Sequence, residues 1–559
     1  MEKIFVLGNN KVIRQIGFPF VEIPYLTSDY EIHNWIVALF QNNDIEKLMI
    51  EIGEKPELSL KLGLHIRLTF DELKEKILIP IIYASTNTLN TIIIETGIWS
   101  HLFASKGVSF SSLENMEDIK TEIAVMEDIA PNDYKTGFLN VIKILPDETI
   151  GRHSLANIWG AYRMDKAANT NALNDNSQFE QNRKRLYFKY ISAFNFQLKP
   201  SPFKVIGQIA IGEPKVIDAR NKKILLVDDE ADKGWELLLR KVFQTTKPED
   251  FAVISEKVKN FDSLSPANRK IIETQQFDLY LIDLRLNGLI EEDNLKTSEF
   301  SGMKMLQKIK NINPGNQVII FTASNKVWNL KALLDAGADG YYLKESPEYN
   351  FSNELSEQNY QQFRDDIKIC FERDYIRGLY SDIQSIKMKL SSLSYPKDFL
   401  AQLTNQLGLF FDMIVNAKNE TQFAYAYVTL YMVIEIINNQ FIKKVTDDKW
   451  EIDGSVLLLD WQWNKEAKQY ANTGQEIVGN KPPEWQKLSG LYFQKWKGSD
   501  NNFISNIYHL IDKRNGFVHK DNRILEKKDS QGNYVNKDVY IKEGVVNLFG
   551  AVKIITSFL

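Results

Sequence analysis

Apolar residues along this chain fall into short unbroken runs in its first two thirds and into helical spacing beyond. Ile224-Leu225-Leu226-Val227, Leu279-Tyr280-Leu281-Ile282 and Val318-Ile319-Ile320-Phe321 have the length and content of parallel strands buried on both faces. Gly340-Tyr341-Tyr342-Leu343 is a fourth such run. Nearer the start, Ile4–Leu7, Ile77–Ile82 and Thr91–Ile94 read as strands, and Tyr30–Phe40, Ser154–Lys166 and Phe179–Phe196 as helices. Pro200, Pro202 and Pro214 mark a linker. From Ser352 to Leu393 apolar positions such as Phe363, Ile367, Phe371, Ile376 and Ile383 recur at helical spacing, until Pro396 breaks the pattern. Beyond about 397 the chain reads as all helix except Ile452–Asp460.

This pattern predicts a multidomain α/β plus all-α protein. Residues 1–198 form an N-terminal α/β domain with a sensing or docking role, 220–348 a doubly wound parallel sheet in the centre, 349–395 a helical connector and 396–559 a C-terminal helical bundle. A length of 559 residues exceeds what one core supports.

The chemistry gathers where the central runs end. Asp228 and Asp229 follow the first run and Asp283 follows the second. In an open α/β sheet, ligands bind in the crevice beyond the carboxyl ends of the strands. Carboxylates crowded there repel one another unless a hard divalent cation takes their oxygens. The pattern points to a magnesium site with a carboxylate to spare, and so to phosphoryl chemistry on Asp283.

With Thr322 closing the third run and Lys344 the fourth, residues 221–346 resemble a response-regulator receiver domain. The pieces that carry the likeness are ILLVDDE at 224–230, LYLIDLRL at 279–286, IIFTAS at 319–324 and AGADGYYLK at 336–344. The resemblance implies a flavodoxin-like fold and a set of roles. Asp283 is the phosphorylation site, served by a histidine kinase or phosphotransfer protein. Asp228, Asp229, Asp283 and the backbone carbonyl of Arg285 hold Mg2+. Lys344 pairs with the phosphoryl oxygens, while Thr322 and Tyr341 form the switch. The other reading of these acids is a degenerate receiver in which they only cap strand ends. The N-terminal α/β region is read as a decayed relative of the same fold, with Gly8-Asn9-Asn10 where the acids would stand.

Two departures from the family pattern stand out. Asn287-Gly288 and an acidic insertion through Glu291, Glu292 and Asp293 replace the usual turn after the acceptor, so that the Ser-Gly pair appears only at Ser301-Gly302. Glu345, not proline, follows Lys344, which puts the family's cis peptide in doubt. The phrase Gly151-Arg152-His153-Ser154 reads as a capped helix start rather than a catalytic cluster.

Composition narrows the rest. Hydrophobic residues at 44% and charged residues at 25% suit a folded soluble protein, and a net charge of −5 argues against wholesale capture of nucleic acid. A single cysteine, Cys370, excludes an intrachain disulfide and fits a reducing cytoplasm. No signal peptide or membrane span is expected. The apolar stretch Phe423–Phe441 carries Glu435, Asn438, Asn439 and Gln440, as a bundle helix would.

In the helical region, Arg514, Asn515 and His519 stand within Ile511-Asp-Lys-Arg-Asn-Gly-Phe-Val-His. This resembles the Arg-Asn-x-x-x-His motif of HEPN ribonuclease domains, although Met432 stands where an upstream arginine is expected. The likeness implies metal-independent cleavage of an RNA substrate across a homodimer. Histidine would move a proton near neutrality, and arginine would stabilise the charge on the phosphorane. No DNA-binding motif is seen. The leading expectation is therefore a phosphorylation-controlled endoribonuclease of a self-limiting or antiphage response. The alternative is a non-catalytic phosphate sink or relay adaptor whose helical domain dimerises or binds a partner.

Overall fold

The structure is a computed structural model. It describes residues 3–559 except 11–12, 115, 147–151, 175–176, 195–212, 288–294, 324–326, 347–350, 447–448, 458–460, 465, 467–468, 473–474, 476–481 and 519–536. The chain divides into two compact units, residues 1–308 with 317–371, and residues 309–316 with 372–559.

The first unit holds two sheets of five parallel strands with one winding. Strands β1 (Ile4–Gly8), β2 (Phe20–Glu22), β3 (Lys47–Glu51), β4 (Ile81–Ser85) and β5 (Val108–Ser112) lie in the order β2-β1-β3-β4-β5. Strands β6 (Ile224–Val227), β7 (Phe251–Ile254), β8 (Leu279–Asp283), β9 (Val318–Thr322) and β10 (Gly340–Leu343) repeat it as β7-β6-β8-β9-β10. This is the flavodoxin-like order, and its switch point lies between the first and third strands. β6, β8 and β9 are buried along their whole length, which is why they read as continuous apolar runs.

The N-terminal sheet departs from the sequence reading. Thr91–Ile94 is not a strand but part of a helix, Leu89–Thr96. The Thr88 hydroxyl accepts from the Thr91 amide as an N-cap, Gly97 ends the helix at φ +53°, and Ile94 is 82% exposed. Capping prevails over the β preference of a Thr-Ile-Ile-Ile run. The Ile77–Ile82 run divides into a 3-10 turn, Lys74–Leu78, and the start of β4, with Pro80 between them. β3 and β5 escaped notice: β3 is flanked by Lys47 and Glu51, and the edge strand β5 reads Val-Ser-Phe-Ser-Ser. Phe179–Phe196 resolves into helices Ser177–Arg183 and Leu186–Phe194, and the connector into Asn353–Glu372 and Tyr375–Ser391.

The second unit is mainly helical. Helices Tyr375–Ser391, Lys397–Asn416, Glu420–Phe441, Asn501–Val518 and Lys537–Ser557 contribute to one core that includes Leu407, Phe410, Leu430, Ile434, Ile504 and Val552. It also holds more strand than expected. Ile442–Lys444, Trp450–Ile452 and Ser455–Val456 make one antiparallel sheet, and Trp461–Asn464 pairs with Gln469–Asn472 in another. Asp453 and Gly454 both have positive φ, at 48° and 76°, the turn geometry that an Asp-Gly hairpin favours. The Glu420–Phe441 helix buries its apolar face as expected, and among the described residues no helix is long and apolar enough to cross a membrane.

Candidate functional site

Register brings the central acids together. Ile282 of β8 lies beside Val227 of β6, so Asp283 and Asp228 come off adjacent strands at one level. Phe321 pairs with Asp283, and Leu343 pairs with Thr322, which places Thr322 and Lys344 on the same rim. Asp228, Asp229 and Asp283 each offer an oxygen within 4.8 Å of the others, and all three are buried. Lys344 Nζ lies 3.0 Å from Asp228 Oδ2 and 3.1 Å from Asp283 Oδ1.

The charge in this pocket does not balance. Both carboxylate oxygens of Asp229 and Oδ2 of Asp283 are buried without a hydrogen-bond partner. Burial first, then the neighbouring acids, push the Asp229 carboxyl up to about 7. Burial likewise raises the Asp283 carboxyl to about 8, with Lys344 opposing and Asp228 and Asp229 adding to the rise. Burial draws the Lys344 ammonium down, but Asp228 and Asp283 outweigh it and hold the group above the ordinary lysine range. Orphaned hard oxygens beside one ammonium are the donor set that a small divalent cation takes up, so these residues fit magnesium.

The surroundings pack closely around the pocket. A Cβ on Gly302 would lie 2.1 Å from the Asp283 carbonyl oxygen and 2.7 Å from the Leu284 Cα, so only glycine lets that helix start beneath the acceptor. Ser301 Oγ accepts from the Leu286 amide at 2.7 Å. The Trp235 ring lies 5.0 Å from the Lys344 ammonium. Thr322 is buried, Tyr341 and Arg285 are half-buried, and the Arg285 guanidinium stacks 5.4 Å from the Phe300 ring. The Lys344–Glu345 peptide is trans. The insertion from Gly288 through Asp293 lies outside the described residues.

Sequence reasoning missed a second layer, contributed by the Arg152–Ala168 helix. Asn157 Oδ1 accepts from Lys344 Nζ at 2.8 Å, and its Nδ2 donates to Glu230 Oε2 at 2.6 Å. Ser154 also donates to Glu230. Arg163 Nε donates to Glu345 Oε2 at 2.7 Å in a buried ion pair. The one signal available was Glu345 itself, an acid at a position where the family pattern has proline.

The same positions in the N-terminal sheet carry other chemistry. Leu7 pairs with Ile50, so Gly8 and Asn9 occupy the places of Asp228 and Asp229, and Glu51 that of Asp283. Ser85 corresponds to Thr322, and Leu113 to Lys344. Glu51 Oε2 accepts from the Asn9 amide at 2.7 Å and the Asn10 amide at 2.9 Å, so this carboxylate is hydrogen-bonded by the loop after β1.

In the helical unit, Arg514 and Asn515 lie on the Asn501–Val518 helix, but their side chains and all of His519 lie outside the described residues. That helix runs through Gly516 to Val518. The Tyr427 hydroxyl donates to the Leu510 carbonyl and ties this helix to Glu420–Phe441.

The winding and the acidic rim define a response-regulator receiver, and family comparison agrees. Residues 224–355 match the response regulator receiver domain, and residues 8–111 match the inactive receiver domain. Over 125 residues the chain is 29% identical to a nitrate/nitrite response regulator protein homolog of Haemophilus influenzae, covering 22% of this chain and 50% of that protein. It is 30% identical over 125 residues to the nitrate/nitrite response regulator protein NarP of Escherichia coli, covering 22% and 48%. The chain thus spans about half the length of the curated relatives it matches. Among solved structures, a CheY-like receiver domain protein from Methanospirillum hungatei is similar at 22% identity and a TM-score of 0.17, covering 26% of this chain and 97% of that one. The chain carries an inactive receiver followed by a receiver of the two-component type.

Proposed function

We propose that this protein is a two-component response regulator phosphorylated on Asp283, with its C-terminal helical region as the output. The carrying observation is the buried trio Asp228, Asp229 and Asp283 with Lys344 Nζ 3.0 and 3.1 Å from two of its members. A carboxylate oxygen of Asp283 attacks the phosphorus of a phosphohistidine donor. The P–N bond breaks, the imidazole leaves with the electron pair, and an aspartyl phosphate forms. Lys344 exchanges its contact with the carboxylate for one with the new phosphoryl oxygens. Thr322 donates its hydroxyl to them, and Tyr341 follows it inward. Asp228, Asp229, Asp283 and the Arg285 carbonyl would hold Mg2+, which supplies charge neutralisation at the transferring group.

The output is proposed to be a HEPN-like, metal-independent endoribonuclease in which Arg514, Asn515 and His519 act on RNA across a homodimer. The support is the motif itself, whose Arg514 and Asn515 lie on the Asn501–Val518 helix of an apolar bundle. Purified protein incubated with total RNA, with and without beryllofluoride and magnesium, tests both halves. RNA decay that changes with beryllofluoride and disappears in His519→Ala is expected. Decay equal to wild type in His519→Ala sinks the nuclease. A lack of any modification at Asp283 by mass spectrometry, with acetyl phosphate as donor, sinks the regulator.

A further inference from the structure

The helix that reaches the acidic pocket comes from far outside the receiver's own sequence. Arg152–Ala168 meets Glu230, Lys344 and Glu345, the residues that follow β6 and β10, and its contacts there are close and buried. Gly160 permits the approach: a Cβ on it would lie 3.2 Å from the Trp235 ring, 3.5 Å from the Glu345 carbonyl and 3.5 Å from Lys344 Cβ. Ile158, Ala161 and Met164 join Trp235, Leu238 and Phe321 in one core. Two polar anchors flank that core. Ser154 and Asn157 hold Glu230, the residue after the acid pair. Arg163 holds Glu345, the residue after Lys344, and also donates to the Ser352 carbonyl at 3.2 Å and to Ser356 Oγ at 2.5 Å.

Between these anchors the helix roofs the pocket. Ala156 and Asn157 line the same cavity as Asp283, Arg285, Thr322 and Lys344, so the helix stands over the space that a phosphoryl group on Asp283 would enter. Asn157 also occupies Lys344, the cation that an aspartyl phosphate needs.

We propose that the Arg152–Ala168 helix is an in-chain lid on the phosphoacceptor pocket, so that phosphorylation of Asp283 and seating of the helix exclude each other. This rests on Asp283 being the acceptor and goes beyond it. A phosphodonor acts on the fraction of molecules whose lid is open, and the aspartyl phosphate, once formed, keeps the lid off. Coupling between the two is reciprocal: whatever fixes the helix in place slows phosphorylation. The N-terminal receiver-like domain, which precedes this helix in the chain, thereby gains a means to govern the second receiver without metal or phosphate of its own.

The test uses the full chain, magnesium and acetyl phosphate, whose P–O bond to acetate breaks as Asp283 attacks. Arg163→Glu sets two carboxylates against each other and opens the lid without touching the acids or Lys344. If the open fraction in wild type is a tenth or less, the variant accepts phosphate at least about tenfold faster. Arg163→Lys, which keeps a cation for Glu345 and a donor for the Phe351 and Ser352 carbonyls, holds the slow rate. Equal rates in wild type and Arg163→Glu, with Asp283 modified in both, overturn the lid and leave the acceptor standing. Absence of phosphate at Asp283 in every form overturns both. Should Arg163→Glu fail to fold, hydrogen exchange on wild type decides. Amides of residues 154–168 exchange faster on adding beryllofluoride and magnesium if the helix lifts, and unchanged exchange overturns the lid.

Discussion

Replacing Lys344 with methionine removes the ammonium from among three carboxylates while keeping the volume of the side chain. Above about pH 8, where Asp283 is ionised, Nζ at 3.0 Å from Asp228 and 3.1 Å from Asp283 gains about 5–6 kcal/mol of gross attraction per contact at an effective dielectric of ~20. Desolvation of the buried lysine returns several kcal/mol, so the net cost of breaking such a pair is about 3–5 kcal/mol. The loss belongs to metal-free protein. A divalent cation supplies the missing charge, and a ligand at a hundred times its Kd contributes about 2.7 kcal/mol to the state that binds it. Denaturant titration in EDTA, followed by circular dichroism, measures the first term, and repetition in saturating magnesium measures the second. The variant is expected to recover most of its deficit in magnesium, and to gain more from the ion than wild type does. A variant as stable as wild type in EDTA refutes the reasoning, because the carboxylates would then not be charged neighbours of Lys344.

Asp229→Ala removes two of the orphaned oxygens and should abolish the rise in melting temperature that magnesium gives wild type; an undiminished rise would place the metal elsewhere. Gly302→Ala drives a methyl against the Asp283 carbonyl, and overpacking of that kind costs about 1–3 kcal/mol, read from the denaturation midpoint. In the N-terminal domain, Lys189 Nζ lies 2.9 Å from His65 Nδ1 and 2.8 Å from Thr69 Oγ1, and burial, only partly offset by Glu72, draws its amine down to about 7. An unfolded lysine titrates near ~10.4. Between these values the unfolded chain binds the extra proton, so stability rises with pH from about 7 to about 10. Lys189→Met should flatten that slope, and an unchanged slope would assign it to another group.

The receiver was legible because its chemistry is written in consecutive residues: an apolar run fixes a strand, and the next residue falls at its carboxyl end. Asp228, Asp229, Asp283, Thr322 and Lys344 could be placed on one rim that way. The N-terminal sheet was harder, since Glu51 carries no acid partner to flag it and Thr91–Ile94 is held as helix by a Thr88 cap and Gly97. The lid was out of reach of local pattern altogether. Asn157 and Lys344 lie 187 positions apart, and only packing brings a polar face of one helix over another domain's pocket. Glu345 was noticed as an oddity, yet its meaning needed Arg163 beside it.

Gly8 limits which side chains the rim of the N-terminal sheet can hold. A Cβ there would fall 2.4 Å from Glu51 Oε2, so any aspartate arriving at position 8 meets an anion already lodged against it. Building a cation-binding rim there would require position 51 to change as well, which surrenders the contacts that now close the loop.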